Sequence, residues 1–197
     1  RRVPRQQMLD ALIADGRVTA AQVDLLADRL IAFYRGLPPI AISGTEYASR
    51  FHSEQIVNRD VLLRPQFGLH DAAAALRELD VRLQEHEPLL RQRADGGHVV
   101  EGHGDLRPEH VCLLEPPVMI DALEFNAAFR QIDPLDEIAF LGMECEAAGA
   151  AWIGPQLAQR VAGALGDVDA VALITTYTAF RALLRARLAA AHLLEAP

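Results

Sequence analysis

Apolar residues recur at spacings of three and four along most of the chain, which predicts a mainly helical fold. Thr19 and Gln22 match the capping box that starts a helix, and Gly36 with the Pro38-Pro39 pair stops the pattern that follows. A second start signal stands at Asp133-Pro134, where aspartate caps the helix and proline takes its first position. Helices are also predicted over the other periodic segments: 47–63, 71–93, 155–165 and 170–194.

Short apolar runs interrupt the helical pattern near the middle of the chain. Segment 98–101 predicts a short strand, and segments 111–114 and 118–120 predict a hairpin joined by Glu115-Pro116-Pro117. The predicted fold class is therefore mainly α with a small β-hairpin, organised as one domain over residues 1–197.

Three arginines lie beside the apolar stripe of the last predicted helix. A solvated face is the usual place for charges in that position. We therefore expect these side chains to face water: Arg181, Arg185 and Arg187.

The composition is that of a globular protein, with 51% hydrophobic and 23% charged residues among 197. No apolar run reaches the roughly 18 residues that cross a bilayer, and the start lacks a signal-peptide pattern, so we expect a cytoplasmic protein without a membrane partner. A net charge of -8 excludes a general nucleic-acid binder, which needs a basic surface. Cys112 and Cys145 are too few for a disulfide framework, and both are expected to be reduced and buried.

The clearest chemical pattern is the octet His-Gly-Asp-Leu-Arg-Pro-Glu-His at 103–110. Phosphoryl transfer from a nucleotide requires an oriented acceptor hydroxyl, metal ions that bridge the phosphates, and neutralised charge. Asp105 is the candidate that orients and deprotonates the hydroxyl. Asp121, which ends an apolar strand sixteen residues later, is the candidate carboxylate ligand of Mg²⁺. His110 stands at the other ligand position, although imidazole nitrogen suits transition metals better than Mg²⁺.

The octet resembles the catalytic loop His-Arg-Asp-Leu-x-x-x-Asn of protein-kinase-like phosphotransferases. Its His-Gly-Asp-Leu form is typical of the aminoglycoside phosphotransferase and choline kinase branch, and Asp-Ala-Leu-Glu at 121–124 resembles the metal-binding Asp-x-x-Glu of that branch. More narrowly, segments 120–126, 130–133 and 139–141 resemble an uncharacterised bacterial group related to aminoglycoside phosphotransferases. In that group a P-loop ATPase domain often accompanies the kinase-like domain.

The resemblance implies the C-terminal lobe of a protein-kinase-like fold, with a catalytic loop at 103–110 and a metal-binding hairpin at 111–124. The implied activity is ATP- and Mg²⁺-dependent transfer of a phosphoryl group to a hydroxyl of an unidentified small molecule. In this scheme Asp105 is the catalytic base and Asp121 is the main Mg²⁺ ligand.

The resemblance also implies roles for residues around the two aspartates. Arg107 would contact the transferred phosphate where protein kinases carry a lysine. Glu124 would bind metal through water or pair with Arg130. Asp136 would brace the catalytic loop from the following helix, whereas His103 is expected to pack and form hydrogen bonds beneath the loop.

All 19 residues counted as lysine or arginine are arginines, so these residues supply no lysine to anchor a nucleotide phosphate. We therefore expect a separate N-terminal lobe, absent from this chain, to complete the site. The histidine at position 110 favours an alternative function, a catalytically weak relative that binds nucleotide or a protein partner in a regulatory role. A zinc or manganese hydrolase site is a further alternative whose spacing matches no metal signature; it would use His98, His103, His110 and Asp105.

Overall fold

The computed structural model of the chain describes residues 3–124 and 126–195, the last two as backbone only. Phe125, which falls inside the segment of the resemblance, lies outside the described residues, as do the chain ends. The described residues are mainly α-helical with small antiparallel sheets, which confirms the predicted fold class. The helices are α1 (Leu9–Ala14), α2 (Ala20–Arg35), α3 (Gly44–Leu62), α4 (Ala72–Asp95), α5 (Pro134–Ala147), α6 (Ile153–Leu165) and α7 (Leu173–Glu195).

Helix α5 lies between two hydrophobic cores. Residues 134–142 at its amino end are all buried. Ile138 and Leu141 pack with side chains of α1, α2 and α6, while Leu135 and Ala139 pack with side chains of α3, α4 and α7. The sequence at the start of α5 therefore shows no polar face, because the helix is covered on both sides.

Four two-residue strands form two antiparallel pairs among the described residues: β1 (Val100–Glu101) with β4 (Gln131–Ile132), and β2 (Val111–Cys112) with β3 (Val118–Met119). The β2–β3 pair is the predicted hairpin. Strand β1 lies within the strand predicted over 98–101, but its pairing with β4 was not predicted, because the partners lie about thirty residues apart and β4 is too short to show a strand pattern. It brings the end of β1 next to the start of α5, which follows β4 directly.

The helix boundaries confirm most of the start and stop signals. Thr19 and Gln22 form the complete capping box of α2, and the Asp133 carboxylate accepts from the Leu135 amide (2.9 Å) at the start of α5. Gly166 ends α6 in the left-handed conformation, with a φ of 77°. Helix α1 has only six residues, and its pattern is too short to have been predicted.

The expectation of a solvated arginine face on α7 was wrong for Arg181. This side chain is buried, and its guanidinium donates to both carboxylate oxygens of Asp136 on α5 (2.7 and 2.6 Å). A helix packed between neighbours pairs its charges with those neighbours rather than with water. The other two arginines also form ion pairs: Arg185 with Glu144 (2.9 Å) and Arg187 with Glu54 (2.6 Å).

A second buried ion cluster, the Arg93 centre, connects residues in or beside five helices, α3 to α7. Arg93 near the end of α4 donates to both oxygens of Asp133 (2.6 and 2.9 Å) and of Asp167 (2.5 and 2.9 Å). Tyr177 donates its hydroxyl to Asp133 (3.1 Å), and the Asp133 amide donates to the Tyr47 hydroxyl (3.2 Å). This cluster fixes the amino end of α5, and with it the position of β4 and β1.

Over residues 3–124 and 126–195, none of the helices is both long enough and apolar enough to pass through a membrane.

Candidate functional site

The octet forms the connection between β1 and β2, and a buried carboxylate of α5 holds its first turn. Glu137 Oε2 accepts from the His103 amide (3.1 Å) and Oε1 accepts from the Gly104 amide (2.6 Å). Oε2 also accepts from the hydroxyl of Tyr34 on α2 (2.8 Å). Burial, followed by the charge of Glu137, raises the pKa of Tyr34, so the hydroxyl remains a donor. Three donors from two elements therefore converge on one carboxylate.

The bracing role that the resemblance implies for Asp136 is wrong, because Glu137 holds the loop instead. Asp136 points to α7 and pairs with Arg181. The two acids are neighbours on a helix that is buried all round, so the sequence pattern does not distinguish which of them faces the loop. The sequence nonetheless indicated that both acids have structural partners, because two acids in the apolar first turn of a buried helix must each be paired.

Gly104 is required at the sharp turn before Asp105. Its φ is 84°, and an added Cβ would lie 3.1 Å from the carbonyl oxygen of Phe129. A side chain there would be strained by both the backbone conformation and the contact. The glycine that distinguishes this octet from the kinase motif thus permits the close approach of the segment before β4.

His103 links the octet to the segment that follows β3. Its Nε2 lies 2.7 Å from the carbonyl oxygen of Ile120, and its Nδ1 accepts from the Asp105 amide (3.3 Å). Nε2 therefore carries the proton. The His103 carbonyl oxygen also accepts from the Leu123 amide (3.0 Å). Since His103 is buried and makes contacts to both segments, it holds Asp105 and Asp121 in one region of the surface.

Asp105 and Arg107 lie side by side at the surface of the octet. Arg107 Nε is 3.1 Å from Asp105 Oδ1, while Arg107 Nη1 is 2.7 Å from Glu109 Oε1. The Nε atom is buried and its N–H is not aligned with any acceptor. The Asp105 side chain is 30% exposed and can meet a ligand. The pair thus offers a ligand a partly exposed carboxylate next to a positively charged side chain that is 20% exposed.

His110 lies between the two aspartates of the predicted site. Its Nδ1 is 2.7 Å from the Asp105 carbonyl oxygen, and its Nε2 is 3.5 Å from Asp121 Oδ2. The imidazole also stacks on that of His103, with ring centroids 5.8 Å apart. The structure therefore brings together the three residues predicted as base and metal ligands, with the histidine side chain buried and the Asp121 side chain 79% exposed.

Asp121 adopts a φ of 60°, in the left-handed region that non-glycine residues rarely occupy. Glu124, three residues further on, is exposed. Arg130, considered as its partner, donates instead to Glu101 (2.5 Å from Nη2) and to the Leu123 carbonyl oxygen (2.5 Å from Nη1). These bonds tie the segment after the hairpin to β1.

The donor set around His110 departs from the one that Mg²⁺ prefers. Within residues 3–124 and 126–195, no three His, Cys, Asp or Glu side chains are grouped so that they could hold a metal ion. The two closest candidate donors are one imidazole nitrogen and one carboxylate oxygen, whereas Mg²⁺ takes oxygen ligands. His98, which the hydrolase alternative requires, contacts Arg93 and Asp167 instead.

An open groove lies elsewhere, between α4, α5, α6 and α7, with a volume of about 1440 Å³. Its lining is mainly apolar, and it includes no residue of segment 103–124. The groove therefore contributes no side chain to the candidate site.

Three uncharacterized mycobacterial proteins match the chain: Rv2004c and MT2060 of Mycobacterium tuberculosis and Mb2027c of Mycobacterium bovis. Each is 30% identical over 139 residues, which cover 70% of this chain and 26% of the relative. The chain thus spans about a quarter of the length of these relatives. No family model and no solved structure matches the chain.

Proposed function

We propose that the chain is the C-terminal lobe of a kinase-like phosphotransferase of the aminoglycoside phosphotransferase and choline kinase type. It transfers the γ-phosphoryl group of ATP, bound with a divalent cation, to a hydroxyl of a small molecule. The observation that carries this proposal is the convergence of Asp105, His110 and Asp121, which the sequence separates by up to sixteen residues. Chance motifs seldom converge in this way.

Asp105 is suited to the role of base. Its carboxylate is partly exposed, so an acceptor hydroxyl can donate a hydrogen bond to it and then lose its proton to it. The loop that carries Asp105 is held by hydrogen bonds to the buried Glu137, which fixes the carboxylate before the acceptor binds. Arg107, whose side chain is 20% exposed beside Asp105, places a positive charge where it can offset negative charge on the transferred group.

The chain alone offers an incomplete nucleotide site, because it contains no lysine. We propose that an N-terminal lobe supplies the missing cation and the cover over the phosphates. A P-loop ATPase domain as a further partner is part of the same proposal. The length of the mycobacterial relatives, of which the aligned region is 26%, leaves room for both in those proteins.

The proposal is tested with the natural full-length protein, ATP with a divalent cation, and a panel of hydroxyl compounds, with ADP formation as the readout. Asp105→Asn is expected to reduce turnover by a factor of about 10³, the middle of the range for a positioned proton acceptor. Asp15→Asn is the matched control, since that aspartate is exposed and distant in sequence from the octet. Equal turnover in the Asp105→Asn and wild-type proteins would contradict the proposal.

The second candidate function is a nucleotide-binding module with little or no turnover. The observation that favours it is His110, which stands where the kinase motif has asparagine. In that case His110→Asn increases nucleotide binding in the presence of Mg²⁺, and ADP formation remains absent from the wild-type protein. Turnover that depends on Asp105 would exclude this candidate.

A further inference from the structure

We propose that Glu109 is a positioning residue of the candidate site. It holds the Arg107 guanidinium away from a complete pair with Asp105, and so it keeps the Asp105 carboxylate open to the acceptor hydroxyl. This role rests on the proposed function, in which Asp105 is the base and Arg107 offsets charge on the transferred group. Glu109 touches neither the acceptor nor the nucleotide in this scheme and acts through Arg107.

A short turn of the octet carries both Arg107 and Glu109. The two residues flank Pro108, which is buried and begins the 3-10 turn Pro108–His110. The His110 amide donates to the Arg107 carbonyl oxygen (2.9 Å) and closes this turn. Because the proline ring also fixes its own φ, the two side chains start from fixed positions on the backbone.

The Arg107 guanidinium lies between two acids that contact different nitrogen atoms. Glu109 Oε1 is 2.7 Å from Nη1, and Asp105 Oδ1 is 3.1 Å from Nε. The Nε atom is buried, and its N–H is not aligned with the Asp105 oxygen. The contact with Glu109 is therefore the shorter one, and the contact with Asp105 is incomplete.

The two acids attract the guanidinium in different directions. An arginine that pairs with a single carboxylate commonly donates two parallel hydrogen bonds to it. Arg107 does not reach this arrangement with Asp105, although the two side chains are adjacent. The attraction of Glu109 for Nη1 accounts for the difference.

Loss of the Glu109 charge changes this balance. Asp105 is then the remaining acid of the three-residue cluster, and Arg107 is expected to turn until Nε and Nη2 both donate to its carboxylate. Lone pairs that accept from arginine are no longer available to an acceptor hydroxyl. The base would be covered before the acceptor binds.

The exposure of Glu109 separates this role from a structural one. Its side chain is 41% exposed, and ion pairs at such exposure add little to stability. Glu109→Gln is therefore expected to fold like the wild type. Distortion of the octet would weaken ATP binding and turnover together, whereas a role through Arg107 lowers turnover alone.

The kinetic test uses the natural full-length protein with ATP, a divalent cation and the acceptor found in the ADP assay. Glu109→Gln is expected to lower kcat by about tenfold or more, since a displacement of about 1 Å at a reacting group costs up to about 10²-fold. The Kd of ATP should not rise, because the substitution removes a negative charge and no positive one.

Two further variants show whether Glu109 acts through Arg107. In an Arg107→Met background, Glu109→Gln should have no additional effect on kcat, because the side chain that it holds is gone. Glu87→Gln is the matched control, since Glu87 forms an exposed pair with Arg91 (2.5 Å) on α4. That variant should keep the kcat of the wild type.

A second measurement does not depend on turnover. Nuclear magnetic resonance of the ¹⁵N-labelled full-length protein follows the Nε–H signal of Arg107, which the Arg107→Met variant identifies by its loss. In Glu109→Gln this proton is expected to shift to higher frequency, because it enters an aligned hydrogen bond with the Asp105 carboxylate. In Glu87→Gln it should not move.

The role of Glu109 is overturned if the Nε–H signal is the same in Glu109→Gln and wild type, whatever the ADP assay shows. It is also overturned if Glu109→Gln keeps the wild-type kcat, if it weakens ATP binding, or if it lowers kcat equally in the Arg107→Met background. Failure of the proposed function appears separately, as ADP formation that does not depend on Asp105.

Discussion

The Arg93 centre and the candidate site are both clusters of charged side chains, but they differ in how completely the charges are paired. Arg93 is 4% exposed, and its guanidinium donates to four carboxylate oxygens. At the candidate site, Arg107 has an unaligned Nε–H and Asp121 is 79% exposed. The first cluster leaves little for a ligand to bind, whereas the second leaves the carboxylates of Asp105 and Asp121 accessible to one.

This difference indicates that the Arg93 centre has a structural role and that the candidate site is available for binding. Burial alone would lower the pKa of Arg93, but its hydrogen bonds to Asp133 and Asp167 raise it, so the centre is charged and satisfied. Removing one partner from such a cluster is costly, and its satisfied groups gain nothing from a ligand. At the candidate site the buried Glu137 holds the turn before Asp105, while the side chains of Asp105 and Asp121 remain accessible, which is the condition of a prepared binding site.

The largest expected effect on stability is at the Arg93 centre. Arg93→Met leaves two buried carboxylates without their cation and should lower the free energy of unfolding by about 3–5 kcal/mol. Chemical denaturation measures this change. Arg91→Met, two residues earlier on α4, removes only an exposed pair with Glu87 and should cost less than about 0.5 kcal/mol. If Arg93→Met lowered the free energy of unfolding only slightly, the Arg93 centre would not be a structural cluster distinct from the candidate site.

An intermediate effect is expected at Glu137, which connects the two regions. Glu137→Gln keeps the shape but loses the charge that receives three donors, so we expect a loss of about 1–3 kcal/mol in unfolding free energy. Tyr34→Phe removes one of those bonds and should cost about 1 kcal/mol. If Tyr34→Phe lowered the free energy of unfolding more than Glu137→Gln does, the hydrogen bonds from the loop amides would not be the main stabilising contacts of Glu137.

Substitution within the candidate site should leave stability almost unchanged. Asp121→Asn alters an exposed carboxylate and is expected to shift the free energy of unfolding by less than about 0.5 kcal/mol. The same denaturation experiment measures it. A loss as large as that of Arg93→Met would mean that Asp121 is a structural residue.

The reactivity of the two cysteine thiols, Cys112 in the hairpin and Cys145 on α5, reports the local stability of these two regions without a substitution. Burial raises the pKa of the Cys145 thiol on α5 to about 12, and burial also raises the pKa of Cys112 in the hairpin. Both thiols should therefore react slowly with a thiol reagent at pH 8. Cys112, beside the candidate site, is expected to react first through local opening, and Cys145 only with global unfolding. The Cys112→Ala variant assigns the two rates, and equal rates would show no difference in local stability.

Local signals in the sequence predicted the parts of the fold that depend on neighbouring residues. The capping box at Thr19, the cap at Asp133 and the β2–β3 hairpin all arise from contacts a few residues apart. The proximity of Asp105, His110 and Asp121 was also predicted, from the motif. These features need no knowledge of how distant helices pack.

The parts that were missed depend on such packing. The choice between Asp136 and Glu137 as the brace is a rotation of about 100° on a helix without a polar face. The burial of Arg181 depends on Asp136 facing α7, and the pairing of β1 with β4 depends on the position of α5. Sequence periodicity contains none of these relations.

The most direct test of the central claim locates nucleotide binding on the chain by nuclear magnetic resonance. A nonhydrolysable ATP analogue with Mn²⁺ is titrated into the ¹⁵N-labelled natural full-length protein, and paramagnetic broadening of the amide signals of this chain is followed. The account predicts that the amides of Gly104, Asp105 and Ala122 broaden first, while those of Asp133 and Asp167 at the Arg93 centre keep their intensity longer. Broadening that begins in the groove, at Thr175 for example, or that spares segment 103–124, would contradict the account.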